Sequence, residues 1–503
     1  MSQPARVIPF CVAGSASLTS WCTWNRVPAR CEGKIEGVID FEALQVAPQL
    51  FDAIGLAPDA IEIQGSLDVW RGPFAIDDVA VSAVVAATAA ASQLLARRNG
   101  AQPHPVVVDT RHAAASFQTD ALVEPIGWTI PPVWDPIAGD YQARDGWIRL
   151  HTNYSHHRQA ALRALGRDPS AAIDAGEVAA LVAVRSADEL ETAVVAEGGV
   201  AGRQRGPDAW QAHAGGQAVA RESLLDVVHH ESLAHESLGA AELPFSGIRV
   251  LDLTRVLAGP VATGFLAAWG ADVLRLDPPD FEEVPAIVPV LTSGKRTAFI
   301  DLACESGRET FRSLVREADV VVHGYRSDAL AALGLDPQDW HADHPGLVEV
   351  SLNAYGHSGP WSARRGFDSI VQHSVGITAV GQAALGSDRP VPLPCQALDY
   401  GTGWLLAAAV GAGLDERERS GRGSTWRASL ARYAQLVLQL RNDVDPHRPS
   451  PTIGSLEPYL TTATTAWGPL RRLRWPGLIG PLAPRTGRSG PLGASTPNFA
   501  ART

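Results

Sequence analysis

Cysteine is scarce in this 503-residue chain: Cys11, Cys22, Cys31, Cys304 and Cys395 are the whole set, and no two form a CxxC pair. An odd, unpaired set argues against a disulfide framework or a zinc ribbon and predicts reduced thiols in a cytoplasmic protein. Basic charge is also short, with 42 Lys and Arg against 54 Asp and Glu and a net charge of −12. Phosphate binding needs a concentrated excess of Lys and Arg, so no nucleic-acid partner is expected, and an anionic substrate requires a local basic patch. No uninterrupted apolar run approaches the roughly 20 residues that span a bilayer. The Ala-rich stretch from Val79 to Ala91 falls short, and no membrane partner is expected. The weakly apolar stretch from Val7 to Ala16 is broken by Pro9 and preceded only by Arg6, which argues against a signal peptide.

What is present is ordinary globular material, 46% hydrophobic and 19% charged. The length exceeds what one core supports, so two or three domains are expected. From Pro244 onward short apolar runs alternate with helical patterns: Ile248–Leu253, Ala271–Leu276, Thr297–Leu302, Val320–Val322 and Leu347–Leu352 read as strands. Pro260 suits the first position of a helix continuing to about Trp269, and Glu305 to Ala318 reads as an amphipathic helix. Alternation of this kind predicts an α/β fold, a Rossmann-like, mainly parallel sheet with helices on both faces. Residues 137–215 read as a small α+β domain: a hairpin turns at Asp145-Gly146, and Ser186 with Glu189 predicts a capping box. After Pro446 the chain is rich in Gly, Pro and Arg, compatible with either a wrapped extension or a disordered tail.

An internal repeat is also legible. Pro73–Asp78 lies over Pro394–Asp399 at an offset of 321 residues (399 − 78), and the register continues ungapped to Ala91 over Ala412. Both Ala-rich segments run into Arg-rich turns. The expected domains are therefore 1–125 as a degenerate repeat of the large domain, 126–215 as the small domain, 216–243 as a linker helix, 244–445 as the large domain, and 446–503 as an extension.

Several ordered motifs then resemble one family. They are Leu243–Pro260 (LPFSGIRVLDLTRVLAGP), Trp269–Pro279, Gly294–Leu302, Ala318–Val322, Ser351–Pro360, Gly366–Gln372 and Leu398–Gly401. Together they are similar to the class III CoA-transferases, the group that includes formyl-CoA transferase, carnitine CoA-transferase and α-methylacyl-CoA racemase. The resemblance implies coenzyme A as substrate and product, no metal, and an interlaced homodimer, or a single chain imitating one through its repeat. It places Asp399 at the nucleophilic aspartate. Val256, Leu257, Ala258, Lys295, Arg296, Ile300, Tyr325, Arg365 and Phe367 fall at positions expected to contact CoA, with Arg364 adding charge.

There are departures. Leu398 stands where a glycine is usual, Pro278 and Ala332 where some members carry arginine, and Gly324 where asparagine is common. Phe367 occupies the racemase histidine position, which disfavours proton shuttling. The implied reaction moves CoA from an acyl-CoA to a carboxylic acid. One alternative is a non-catalytic CoA-binding or regulatory subunit. A dinucleotide oxidoreductase is weaker, because the turn after Leu253 lacks GxGxxG. The cluster His229, His230, His235, Glu231 and Glu236 lacks HExxH spacing and reads as a solvated linker.

Overall fold

Parallel strands covered on both faces lose polar alternation and become short apolar runs. Such runs mark most of the six parallel strands in the largest, seven-stranded sheet: β1 (Arg249–Leu253), β2 (Asp272–Asp277), β3 (Arg296–Phe299), β4 (Val320–His323), β5 (Val348–Asn353) and the more polar β6 (Ser424–Ser429). The computed structural model describes residues 37–70, 72–231, 237–326, 329–440 and 451–501. Their order is 3-2-1-4-5-6, all parallel, the doubly wound arrangement. Successive residues feed opposite cores, as a period of two requires: Val320 and Val322 pack on one side and Val321 on the other. Helix Glu305–Glu317 covers the second side with Phe311, Leu314 and Val315 at helical spacing and turns its charges outward.

The expected linker helix at 216–243 is corrected. Asp226–His229 is a strand, paired antiparallel with β6 so that His229 faces Ser424. Its two adjacent valines favour an extended edge position. His230 hydrogen-bonds Thr425 (2.9 Å) and stacks on His341, whereas His235 and Glu236 lie outside the described residues. Among the described residues no group of three or more potential metal ligands gathers.

The small α+β layer joins hairpin Gly139–Ala143 and Gly146–His151 to Val200–Arg203, with three helices against it. The capping box at Ser186 does not form. Asp145, from the hairpin turn, accepts the Ala187 N–H (2.7 Å) and the Ser186 hydroxyl (2.7 Å), so the cap arrives from 42 residues upstream. A true capping box sits instead at Asp174 and Glu177.

Helix Ile76–Arg98 is 23 residues long, longer than the apolar run that marks it in the sequence, and apolar enough by composition to cross a membrane. Here 94% of its apolar window is buried, mainly against helix Ala397–Ser420, so it is a core helix of the fold. Small residues permit the approach: a Cβ on Gly411 would lie 3.0 Å from that of Ala90. At the helix ends Arg97 Nη2 meets Asp415 Oδ2 at 3.0 Å.

Of the two readings of the C-terminal segment, wrapping is what the described residues show. Strands Leu460–Thr465 and Gly468–Leu473 form a hairpin whose inner strand pairs with Val123–Pro125. Further on, the chain runs beside β3, Ser495 N–H donating to Thr297 O (2.7 Å), and Phe499 enters the second core. Gly487 is required there, because a Cβ would stand 2.2 Å from the Cα of Gly294.

Candidate active site

In a doubly wound sheet, ligands bind outside the carboxyl ends of the strands where the winding reverses. Here the reversal falls between β1 and β4. A cavity of about 400 Å³ opens at that place. Val256, Ala258, Tyr325, Arg365, Phe367 and Asp399 line it.

The turn after β1 is tightly built. A Cβ on Gly259 would lie 2.2 Å from the Cβ of Thr254, so only glycine lets the chain double back into helix Ala258–Ala268. Val256 has φ +59, a left-handed conformation that a β-branched residue rarely adopts. Strain of this kind persists only where surrounding structure enforces it, and it gathers at functional sites.

Four of the expected contact residues do not line this cavity, and for the two basic ones the cause is electrostatic. Lys295 is buried, its Nζ 2.9 Å from Asp252 Oδ2 and 2.6 Å from Thr263 Oγ1, because an interior carboxylate needs an interior cation. Arg296 grips Asp272 (2.9 Å) and the carbonyl of Asn498. Ile300 packs in the second core, and Leu257 faces a different, smaller cavity. Arg364 does line the main cavity, but Glu191 (3.0 Å) and the Ala201 carbonyl hold it, and it lies over Trp361.

Sequence reasoning missed Arg255 and Arg326, which line the same cavity. The signal for Arg255 was its place inside the turn motif, directly before Val256, which was named. Its guanidinium lies 4.0 Å over Phe281, and its nearest carboxylate, Asp277 at 3.9 Å, already pairs with Arg275. Arg255, Arg326 and Arg365 thus supply local positive charge on an acidic protein. Phe367 stacks on His151 of the small α+β layer with ring centroids 3.8 Å apart. His373 is turned away, with Nε2 3.2 Å from Asp140.

Asp399 is the third residue of helix Ala397–Ser420, within its first turn, where an aspartate commonly serves as a cap. It does not serve so here. Asp368 performs that task, Oδ2 accepting the N–H of Leu398 (2.8 Å) and of Asp399 (3.0 Å). The Asp399 carboxylate accepts no hydrogen bond among the described residues and is 5% exposed. Burial, then the negative charges of Asp368 and Asp120, push its pKa well above the usual carboxylate range. Asp368 is raised to about 6, mainly by burial.

Asp78, at the matching repeat position, is the informative contrast. Its carboxylate accepts the N–H of Gln45 (2.8 Å) and Val46 (3.1 Å) and the Ser82 hydroxyl (3.0 Å). One aspartate is tied up and the other is bare. The next residue, Tyr400, donates its hydroxyl to Asp120 (2.6 Å), joining the N-terminal segment to the helix that carries Asp399.

The sequence model of CoA-transferase family III matches residues 245–448, the segment that carries β1 to β6 and Asp399. The "Probable fatty acyl-CoA transferase Rv3272" of Mycobacterium tuberculosis is 32% identical over 228 residues, 41% of this chain and 57% of that protein. The succinate–glutarate CoA-transferase of Agrobacterium fabrum is 33% identical over 238 residues, 43% of this chain and 59% of that protein. The chain therefore spans a little over half the length of these relatives. Among solved structures, Rv3272 aligns at 32% identity with a TM-score of 0.36, covering 39% of this chain and 57% of that one. The matched segment supplies six strands of the sheet and the bare aspartate, while Tyr154, His156 and His157 beside the small α+β layer close one wall of the cavity.

Proposed function

We propose that the protein transfers CoA from an acyl-CoA to a carboxylic acid, with Asp399 as the nucleophile. The observation that supports the reading is a buried carboxylate that meets no hydrogen-bond donor among the described residues, at the wall of a basic cavity. An unsolvated carboxylate is a strong nucleophile, and exclusion of water preserves the intermediates.

In the proposed sequence Asp399 attacks the thioester carbonyl, forming a mixed anhydride and expelling CoA thiolate. The thiolate attacks the aspartyl carbonyl, giving an aspartyl-CoA thioester and releasing the first acid. The incoming carboxylate attacks that thioester, forming a second anhydride and freeing the thiolate again. Attack of the thiolate on the new acyl carbon yields the product and restores Asp399. Arg255, Arg326 and Arg365 offer charge to the CoA phosphates, and Val256, Ala258, Tyr325 and Phe367 offer apolar walls.

Incubation with succinyl-CoA or acetyl-CoA plus hydroxylamine tests this reading, followed by mass analysis of the peptide carrying residue 399. Trapping of the thioester as an Asp399 hydroxamate supports it. A protein that binds CoA but yields no hydroxamate is the non-catalytic subunit, the second reading, which buried Leu398 in place of glycine and the missing arginines motivate.

The degenerate-repeat reading of residues 1–125 also belongs to this proposal. Ala90 meets Gly411 at the repeat offset, 411 − 90 = 321. Long helix, strand and capped helix recur in order: Ile76–Arg98, Val106–Asp109 and Thr110–Ala115 match Ala397–Ser420, β6 and Leu430–Gln439. This supports one chain imitating an interlaced pair, with the cytoplasm as its proposed place of action.

A further inference from the structure

The first turn of helix Ala397–Ser420 is held from two sides. On one, Asp368 accepts the N–H of Leu398 and of Asp399. On the other, residues 117–120, which lie outside the matched family segment, receive the side chain of Tyr400. The Tyr400 ring is buried and stacks on buried Phe117, with centroids 5.6 Å apart. Its hydroxyl has one hydrogen and two lone pairs, and all three are used. The hydrogen goes to Asp120 Oδ1 (2.6 Å), while the Asp120 N–H (3.0 Å) and the Thr119 hydroxyl (3.0 Å) donate in return. The N-terminal segment thus forms a fitted receptor for one side chain, and that side chain belongs to the neighbour of the nucleophile.

Neither hold needs a charge. An asparagine caps a helix as well as an aspartate does, and its carbonyl accepts a phenolic hydrogen with the same shape. Both holds are nevertheless carboxylates, and both negative charges act on Asp399. Three carboxyl groups therefore gather around one helix turn, which disfavours ionising all of them together. Attack on a thioester relieves this crowding. The Asp399 oxygen bonds the acyl carbon, the carbon–sulfur bond breaks, and the electron pair leaves on the CoA sulfur. The anhydride at position 399 is neutral, so one of the crowded charges has passed to the thiolate.

We propose that Asp120 is a positioning residue of the nucleophile: through Tyr400 it fixes the turn that carries Asp399, and its charge favours the acylated state of Asp399 over the free carboxylate. The part concerning acylation rests on the transferase reading; the interaction of Asp120 with Asp399 does not.

Other groups near the turn form a constant background. Arg149 acts on Asp368, buried Arg472 of strand Gly468–Leu473 borders the same small cavity as Tyr400, and burial pushes the Cys395 thiol up. Arg255, Arg326, Arg364 and Arg365 share the main cavity with Asp399, as do His156 and His157, which burial keeps neutral at neutral pH. Substitution at position 120 leaves every one of them in place.

The test is a double-mutant cycle of Asp120→Asn and Asp399→Asn, read by thermal unfolding at pH 8 and pH 4 without ligand. D120N keeps an acceptor for Tyr400 and removes only the charge. At pH 8, D399N is expected to raise the midpoint less in the D120N background than in the parent, because one repulsion is already gone. At pH 4 both carboxyls, raised by burial, are mostly protonated, and the two substitutions should add. Each midpoint also reports that the variant is folded. In turnover, the rising limb of kcat/KM for succinyl-CoA against pH should move about one unit lower in D120N, with a lower plateau. Thr119→Val removes a contact to Tyr400 and no charge, so its limb should stay where the parent's lies. Additive midpoints at pH 8 overturn the interaction, and a D120N limb coincident with the parent's overturns the role in the reaction. Failure of hydroxamate trapping in the parent refutes the transferase step alone and leaves the cycle standing.

Discussion

Replacing Asp399 by Asn should abolish turnover and yet stabilise the protein. Asn has the same shape but cannot ionise or form an anhydride, so hydroxamate trapping and CoA exchange should fall to background. The stability effect follows from proton linkage. Asp399 and Asp368 are held above the ordinary carboxylate value, so between that value and their raised values the folded protein binds more protons than the unfolded chain. Stability then declines as pH rises through this window, because the chain gains by unfolding and ionising. Asp368 sets a scale: a rise from 3.8 to about 6 corresponds to a penalty on the order of 3 kcal/mol, fully expressed only above about pH 6. D399N should therefore raise the unfolding midpoint at pH 8 and differ little from the parent at pH 4, measured by calorimetry across that range. The same raised pKa predicts that kcat/KM of the parent climbs with pH well beyond the range of an ordinary carboxylate. A D399N protein that turns over like the parent would refute the mechanism. One less stable than the parent at pH 8 would refute the claim that the carboxylate sits dry and unsupported.

Other outcomes follow from the same structure. Arg255→Ala should raise KM for acyl-CoA by roughly 10- to 100-fold with kcat little changed, as expected for one lost charge-assisted phosphate contact, read by steady-state kinetics. Asp252→Val alone leaves Lys295 buried and unpaired and should cost about 3–5 kcal/mol, whereas adding Lys295→Met should recover much of it; denaturant titration of the double-mutant cycle decides. Asp78→Ala frees three donors, two of them buried, and should cost about 1–3 kcal/mol while leaving hydroxamate yield per folded molecule unchanged. Measurable loss of trapping in D78A would show that the repeat aspartate has chemistry of its own.

Local pattern carried the parallel sheet far. Val320, Val321 and Val322 read as a strand in any context because burial on both faces leaves no polar alternative, whereas the strand order 3-2-1-4-5-6 was visible only in the fold. Turn chemistry carried the Asp145-Gly146 hairpin for the same local reason. The cap at Ser186 was misread because its true partner, Asp145, is close only after folding. Arg472 gave no warning at all: an arginine beside another arginine in a polar tail reads as solvated until the strand that buries one of the two is in place.

The sequence by itself determined the core strands and helices between Ile248 and Leu352, and it singled out Asp399 by resemblance, because these depend on neighbours within a few residues or on an ordered set of motifs; the edge strand Asp226–His229, expected as a helix, was decided by its pairing with β6. Tertiary structure alone decided which charges act. Folding buried Lys295 against Asp252, left Arg255 and Arg326 at the cavity wall, saturated Asp78 and stripped Asp399 of donors. The reason is electrostatic: the behaviour of a charge is set by its solvent and its counter-charges, and both are assigned only when distant parts of the chain meet.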